Sequence, residues 1–357
     1  MVAIPESVHE LDSAWLSAAL GRAVDVVGCE RIAVGEGFVG QLARLRLADG
    51  GTLIAKLPTT DPGGRFLGEM LHLWEREARF YTDVAPHLSI RVAETHLNLM
   101  DPANGRFLLL MEDLAPARAG DQVIGATPAQ ARQVVEYIGR FHAQWWEHPL
   151  LEGLDWMPRV NDPATKLVVP LFAAGWPQFE ERFKDRLPAR TLDWVQRFGP
   201  TAAEFLDLYV NEPVTIIHGD FRLDNMMFCA DGSVTLVDWQ MATRAPGLSD
   251  VVYFTATNLE ADVRAAHLEE LLDLYAATLA AGGVADVPDR EQIRDGYRRG
   301  VLLWMVAMAG AIGQLDPANE RGTALFDRIV TRLFETGDAV DAGVFLEEWL
   351  AAWSPAG

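Results

Sequence analysis

The chain has 357 residues, half of them apolar, and its 30 basic and 51 acidic side chains give a formal net charge of −21. A folded protein with a large core is expected, and neither nucleic acid nor an anionic membrane suits such a charge as a partner. Cys29 and Cys229, far apart, and eight histidines without an H-x-x-x-H pair exclude a disulfide framework and a zinc site.

The first residues carry Glu6, Glu10 and Asp12 without a basic-then-apolar leader, so a cytoplasmic location is expected. A short helix is predicted over about 8–20. Gly35-Glu36-Gly37-Phe38-Val39-Gly40 then reads G-x-G-x-x-G, a spacing used both by dinucleotide sites and by other phosphate-cradling loops. A dinucleotide loop opens a helix. Here residues 42–47 alternate as a strand, turn at Asp49-Gly50-Gly51 and continue as a second strand over 52–57. Gly35, Gly37 and Gly40 therefore lie between strands, where the lack of a Cβ lets backbone amides approach a phosphate.

Lys56 closes the third strand. The stretch 66–83 has Phe66, Met70, Leu73, Trp74, Glu77 and Phe80 at roughly helical spacing, which offers Glu77 as a partner for Lys56. Glu75 is the alternative, on a different face. A hairpin turn at 101–105 leads into the apolar run 107–111, which ends abruptly at Glu112, Asp113 and Leu114. Helices are predicted over about 128–147, 177–185 and 189–210, and again from 249 to 353 with breaks at Gly282-Gly283, Pro288 and Pro317. The apolar stretch 300–312 is too short to span a bilayer and reads as a buried helix.

The densest chemistry lies between these helices, in Ile217-His218-Gly219-Asp220-Phe221-Arg222-Leu223-Asp224-Asn225 followed by Leu236-Val237-Asp238. A carboxylate, an amide five residues on and a second carboxylate thirteen beyond that are the groups phosphoryl transfer requires. Asp220 is the candidate to accept the proton of an attacking hydroxyl. Asn225 and Asp238 are the candidates to hold the Mg²⁺ that bridges ATP phosphates, and Lys56 is the candidate for the phosphates themselves. By the same pattern the adenine would meet the backbone near Met111, Glu112 and Leu114.

Together the glycine loop, strand lysine, helix glutamate, Leu-Met-Glu-Asp-Leu segment, His-Gly-Asp-x-x-x-x-Asn and final Asp resemble the aminoglycoside phosphotransferase/choline kinase superfamily. Phe141-His142-Ala143-Gln144-Trp145-Trp146 and Val237-Asp238-Trp239-Gln240, with 246–254, resemble its ecdysteroid-kinase-like branch. The resemblance covers about 30–280. It implies an α+β, bilobal protein-kinase-like fold: a small antiparallel β lobe with one main helix, plus a larger, mostly helical lobe. Residues 1–113 would form the ATP-binding lobe, and 114–357 the lobe with the catalytic and metal-binding loops and the substrate pocket. The activity implied is ATP-dependent transfer to a hydroxyl of a small molecule. An antibiotic phosphotransferase and a nucleotide-binding pseudokinase remain as alternatives.

The departures bear on regulation and substrate. Gly219 replaces the Arg of the protein-kinase His-Arg-Asp triplet, and only about eleven residues separate Asp238 from Ser249, too few for a peptide-docking activation segment. Asp250 is read either as a brace for the catalytic loop or as part of a helix N-cap with Ser249. Tryptophans such as Trp145, Trp156, Trp176 and Trp304 offer aromatic walls or simply core. The aperiodic segment 155–178 is the candidate substrate-facing insertion.

Overall fold

Alternating apolar side chains build the small sheet. The computed structural model describes residues 2–32, 40–209, 211–314 and 320–353. Its sheet comprises β1 (Val26–Ile32), β2 (Gly40–Leu47), β3 (Thr52–Pro58), β4 (Thr95–Asp101) and β5 (Arg106–Glu112), ordered β1-β2-β3-β5-β4 with every neighbouring pair antiparallel. In β2, Ala43, Leu45 and Leu47 are buried while Arg44 and Arg46 point the other way, the period-2 pattern of a half-buried strand. Leu53, Ala55, Leu57, Leu108 and Leu110 extend the same core, which α1 (Ser13–Leu20) covers with Leu16. The Asp12 carboxylate caps α1 by accepting from the Trp15 amide at 2.8 Å, and Gly21 ends it at φ 65°.

The helix expected over 66–83 is two helices, α2 (Pro62–Met70) and α3 (Leu73–Arg79), with a π-turn after them. The cause is local. His72 adopts φ 53°, and the chain folds back so that the Trp74 indole covers Gly68, where any Cβ would lie 2.6 Å from the ring.

By packing, Met1–Arg118 with Met227–Ala242 forms one compact unit, and Ala119–Met226 with Thr243–Gly357 the other. Residues 227–242 group with the first because Trp239 stacks on Phe80, centroids 3.9 Å apart and planes within 8°. Leu236 also makes a bridge to Val92.

The second unit contains α4 (Pro128–Trp145), α5 (Pro163–Lys166), α6 (Val168–Phe183), α7 (Ala189–Phe198), α8 (Ala202–Tyr209), α9 (Leu248–Asn258), α10 (Ala261–Ala281), α11 (Arg290–Gln314), α12 (Glu320–Val340) and α13 (Leu346–Ala352). A Thr127/Gln130 capping box starts α4. The segment 155–178 is mostly helical, not an irregular insertion. Its α6 lies so close to α11 that a Cβ on Gly175 would sit 2.2 Å from the Gly310 carbonyl oxygen. Among the described residues no helix is long and apolar enough to cross a membrane.

One buried guanidinium ties this unit together. Arg332 on α12, 2 % exposed, donates to the carbonyls of Gln122, Val123 and Thr257 and to the Glu260 carboxylate. It thereby fastens the segment before α4 to the end of α9. Arg332→Met would leave those carbonyls without a donor and is expected to lower stability by about 2–4 kcal/mol. Chemical denaturation of the two proteins checks this; an unchanged midpoint contradicts it.

Candidate functional site

In the first unit the sequence brings an ammonium to the inward end of β3. Lys56 is 6 % exposed, and its Nζ lies 2.7 Å from Glu77 Oε2 and 2.8 Å from Asp238 Oδ1. Glu77 reaches it because Leu73, Trp74 and Ala78 bury the same side of α3. Glu75 instead lies on the outer face beside His72. Asp238 holds a left-handed backbone at φ 68°, a conformation Asp tolerates better than most residues, and the Trp239–Phe80 stack immediately after it fixes that turn.

Burial alone would lower the Lys56 pKa, but Asp238 and Glu77 outweigh it and hold the ammonium above its ordinary value. Burial pushes Glu77 up to about 7, with Lys56 pulling the other way. With Glu77 raised, Asp238 is the carboxylate that chiefly balances the ammonium, and carboxylate oxygens of this kind suit a hard cation. Gly40, the first residue of β2, lies beside the lysine: a Cβ there would be in ordinary contact with Lys56 Cε at 3.4 Å. Gly35 and Gly37 lie outside the described residues.

Beyond β5, side chains brace the backbone. Met111 stands opposite Ile54 and Thr95 in the sheet. The Glu112 carboxylate accepts from Arg91 and from the Glu94 amide, and the Glu112 N–H donates to the Glu94 carbonyl at 2.9 Å. Asp113 takes the Arg44 Nε at 2.6 Å and the Ala115 amide at 3.1 Å. The Leu114 carbonyl accepts from Ala117, while its own N–H has no partner among the described residues, leaving a donor for a purine edge.

The second unit holds the other half of the motif. The strand Thr215–Ile217 pairs with Thr243–Ala245 and delivers His218-Gly219-Asp220 at its end. Gly219 has φ 80°, a turn that favours glycine. Asp250, fully buried near the start of α9, accepts from the amides of His218 at 2.6 Å and Gly219 at 3.0 Å. It is a brace and not an N-cap. Behind it, His142 Nε2 lies 3.4 Å from Asp250 Oδ2 and His142 Nδ1 3.0 Å from the Tyr275 hydroxyl. The Asn225 amide donates to the Asp220 carbonyl at 2.9 Å and to Asp220 Oδ2 at 3.0 Å. That commits its nitrogen and leaves its oxygen, a hard donor, for a metal.

Sequence reasoning missed three contributors: Arg222, whose Nε is 3.1 Å from Asp220 Oδ2; the His142–Tyr275 pair; and the Arg44–Asp113 pair. Arg222 was visible inside the motif. The other two depend on contacts between distant segments. Most tryptophans pack: Trp145 is 2 % exposed, and Trp349 donates to Thr201. Trp304 is half-buried and packs on Tyr253, centroids 4.6 Å apart. Burial first, and then the Asp220 charge, raise the Tyr253 phenol.

Two tests follow. Lys56→Met leaves Glu77 buried without its cation and is expected to cost about 3–5 kcal/mol in urea denaturation, with part recovered in the Lys56→Met/Glu77→Gln double variant. Additive losses would contradict the coupling. Although burial alone would raise Asp113, hydrogen bonds from Arg44, Ala115 and Thr52 hold its carboxyl below the ordinary value. Such a group contributes stability above the unfolded-chain value of about 4 and loses it as the pH falls through the lower native value. Asp113→Asn is therefore expected to be less stable than the parent at neutral pH, with the difference shrinking in acid; a pH-independent difference contradicts this.

The chain's likeness to solved structures extends over nearly all its length. It resembles spectinomycin phosphotransferase APH(9)-Ia at 13% identity, covering 95% of this chain and 99% of that one with a TM-score of 0.59. The choline kinase of Cryptosporidium parvum Iowa II shows 9% identity, 96% and 97% coverage and a TM-score of 0.58. Macrolide 2'-phosphotransferase MphH of Brachybacterium faecium shows 16% identity, 91% and 98% coverage and a TM-score of 0.53. At such identities the likeness establishes the fold, a protein-kinase-like β lobe and helical lobe. No curated protein sequence matches the chain. The sequence pattern of the ecdysteroid kinase-like family matches residues 35–283, well over half of the protein. The chain thus belongs to the ecdysteroid kinase-like family, as an ATP-dependent phosphotransferase with an alcohol group as acceptor.

Proposed function

We propose that the protein transfers the γ-phosphate of ATP to a hydroxyl of a small, partly apolar alcohol. The observation that carries this reading is the buried Lys56 ammonium between Glu77 and Asp238, a charge set suited to triphosphate oxygens and a hard cation. In this reading Lys56, with Gly35, Gly37 and Gly40, holds the phosphates, and Met111, Glu112 and Leu114 meet the adenine through their main chain. Asn225 and Asp238 ligate Mg²⁺ through amide and carboxylate oxygens. Bound there, Mg²⁺ neutralises charge that builds up on the phosphate oxygens.

Asp220 receives the proton of the acceptor hydroxyl as the new O–P bond forms and the bond to the ADP oxygen breaks. The Asp250 brace keeps the loop carrying Asp220 in one conformation, so the acceleration comes from positioning and charge, with no covalent intermediate on the protein. The half-buried Trp304 on Tyr253, whose phenol feels the Asp220 charge, supports an acceptor with an apolar face. The spectinomycin phosphotransferase was solved with ADP and spectinomycin, which supports a nucleotide and a hydroxylated small molecule as the ligand pair.

The experiment is Mg²⁺-dependent ADP release against aminoglycosides, choline, sterols, hydroxy acids and macrolides. Asp220→Asn is expected to lower kcat by about 10²–10⁴ while KM for ATP stays nearly unchanged. Near-normal turnover in that variant would remove Asp220 from its role. ADP release from no acceptor would argue for a nucleotide-binding module instead.

A further inference from the structure

Arg222 sits midway between two carboxylates in sequence, Asp220 two residues before it and Asp224 two after. The fold separates their partners. Asp224 accepts from Arg321 at 2.9 Å and from the Gln122 amide at 3.3 Å. Arg222 turns the other way, with Nε 3.1 Å from Asp220 Oδ2 and both side chains 23 % exposed. Its own backbone is fixed by the same turn, since its N–H donates to the Asp220 carbonyl at 2.9 Å and its carbonyl accepts from Asn225 at 3.0 Å.

The side-chain hydrogen bond to the Asp220 carboxylate falls on the same atom. Asn225 Nδ2 lies 3.0 Å from Oδ2. Oδ1 accepts no hydrogen bond among the described residues. A carboxylate with one free torsion is normally able to present either oxygen, and terminal torsions of this kind are broad. One hydrogen bond, from Asn225, and one ion pair, with Arg222, on a single oxygen restrict that freedom.

We propose that Arg222 is a positioning residue that, with Asn225, locks Asp220 by Oδ2 so that Oδ1 alone receives the acceptor's proton. This rests on the reading of Asp220 as proton acceptor. Asn225 is also the candidate metal ligand, so without Arg222 the orientation of Asp220 would depend on a side chain with another task. The guanidinium acts through its charge at 3.1 Å, while the Asn225 amide supplies the hydrogen bond. The balance of the step is unchanged: the hydroxyl proton goes to Oδ1, the hydroxyl oxygen bonds to phosphorus and ADP departs. Arg222 neither gives nor takes a proton.

The test compares the full-length parent with Arg222→Met and Arg222→Ala. ADP release is measured with Mg-ATP and the pooled acceptor panel, alongside thermal unfolding and crystal structures of parent and Arg222→Met. Expected in Arg222→Met are a kcat lower by about tenfold to a hundredfold, an unchanged KM for ATP and an Asp220 carboxylate rotated or split between two orientations. Guanidinium added at millimolar concentration is expected to restore part of the turnover of Arg222→Ala, which a scaffolding role would not allow. Turnover within twofold of the parent overturns the proposal, as does an Asp220 in the parental orientation or a loss that guanidinium leaves untouched. If the parent itself releases no ADP, the reading of Asp220 as base fails on its own account. The orientation of Asp220 in the two crystal structures then still decides whether Arg222 holds it.

Discussion

A buried lysine surrounded by two carboxylates is the constraint around which the first unit is organised. Lys56 comes from β3, Glu77 from α3 and Asp238 from a turn far along the chain, and the three meet within hydrogen-bonding distance. Removing such charges from water is unfavourable unless each finds its counterpart, so each element's position is dictated by the other two. The Trp239–Phe80 stack holds the Asp238 turn in its left-handed conformation, and the Trp74 ring folded over Gly68 sets where α3 begins.

The second unit handles the converse problem, a loop whose amides must not drift. Asp250 answers it by accepting from two successive backbone N–H groups while fully buried. Because the acceptor comes from α9, whose residues 250–258 are buried throughout, the loop inherits the rigidity of the helix core. His142 and Tyr275, from α4 and α10, close the space behind the carboxylate. Gly247 is confined there as well, since a Cβ on it would meet the Tyr275 hydroxyl at 2.5 Å. Asp220 and Asn225 are thus presented by a loop with little conformational freedom.

Residue spacing made local features legible. The antiparallel strands at 42–47 and 52–57 follow from alternation and the Asp-Gly-Gly turn, and the structure has β2 and β3 there. The helix after them was less legible, because periodicity over 66–83 is continuous while the break depends on how Trp74 packs over Gly68. The same holds for 155–178, where Pro177 and the tryptophans mask a helix that forms because Gly175 permits close contact with α11. Lys56 and Glu77 were proposed as a pair from strand end and helix face, and the structure puts them 2.7 Å apart. The glycine loop at Gly35 and Gly37 is outside the described residues.

What the amino-acid sequence determined by itself was the type of chemistry: which carboxylates, amide and lysine are present, and at what spacing, since covalent order sets which groups share one turn or one strand. Asp220, Arg222 and Asn225 are of this kind, being joined through a single loop. Tertiary structure alone decided which charges neutralise one another. Arg44 with Asp113, His142 with Asp250, and Arg332 with the carbonyls before α4 join segments remote in sequence. No local pattern encodes those partners, because burial makes each polar group seek whichever complement the packing of distant elements brings within reach.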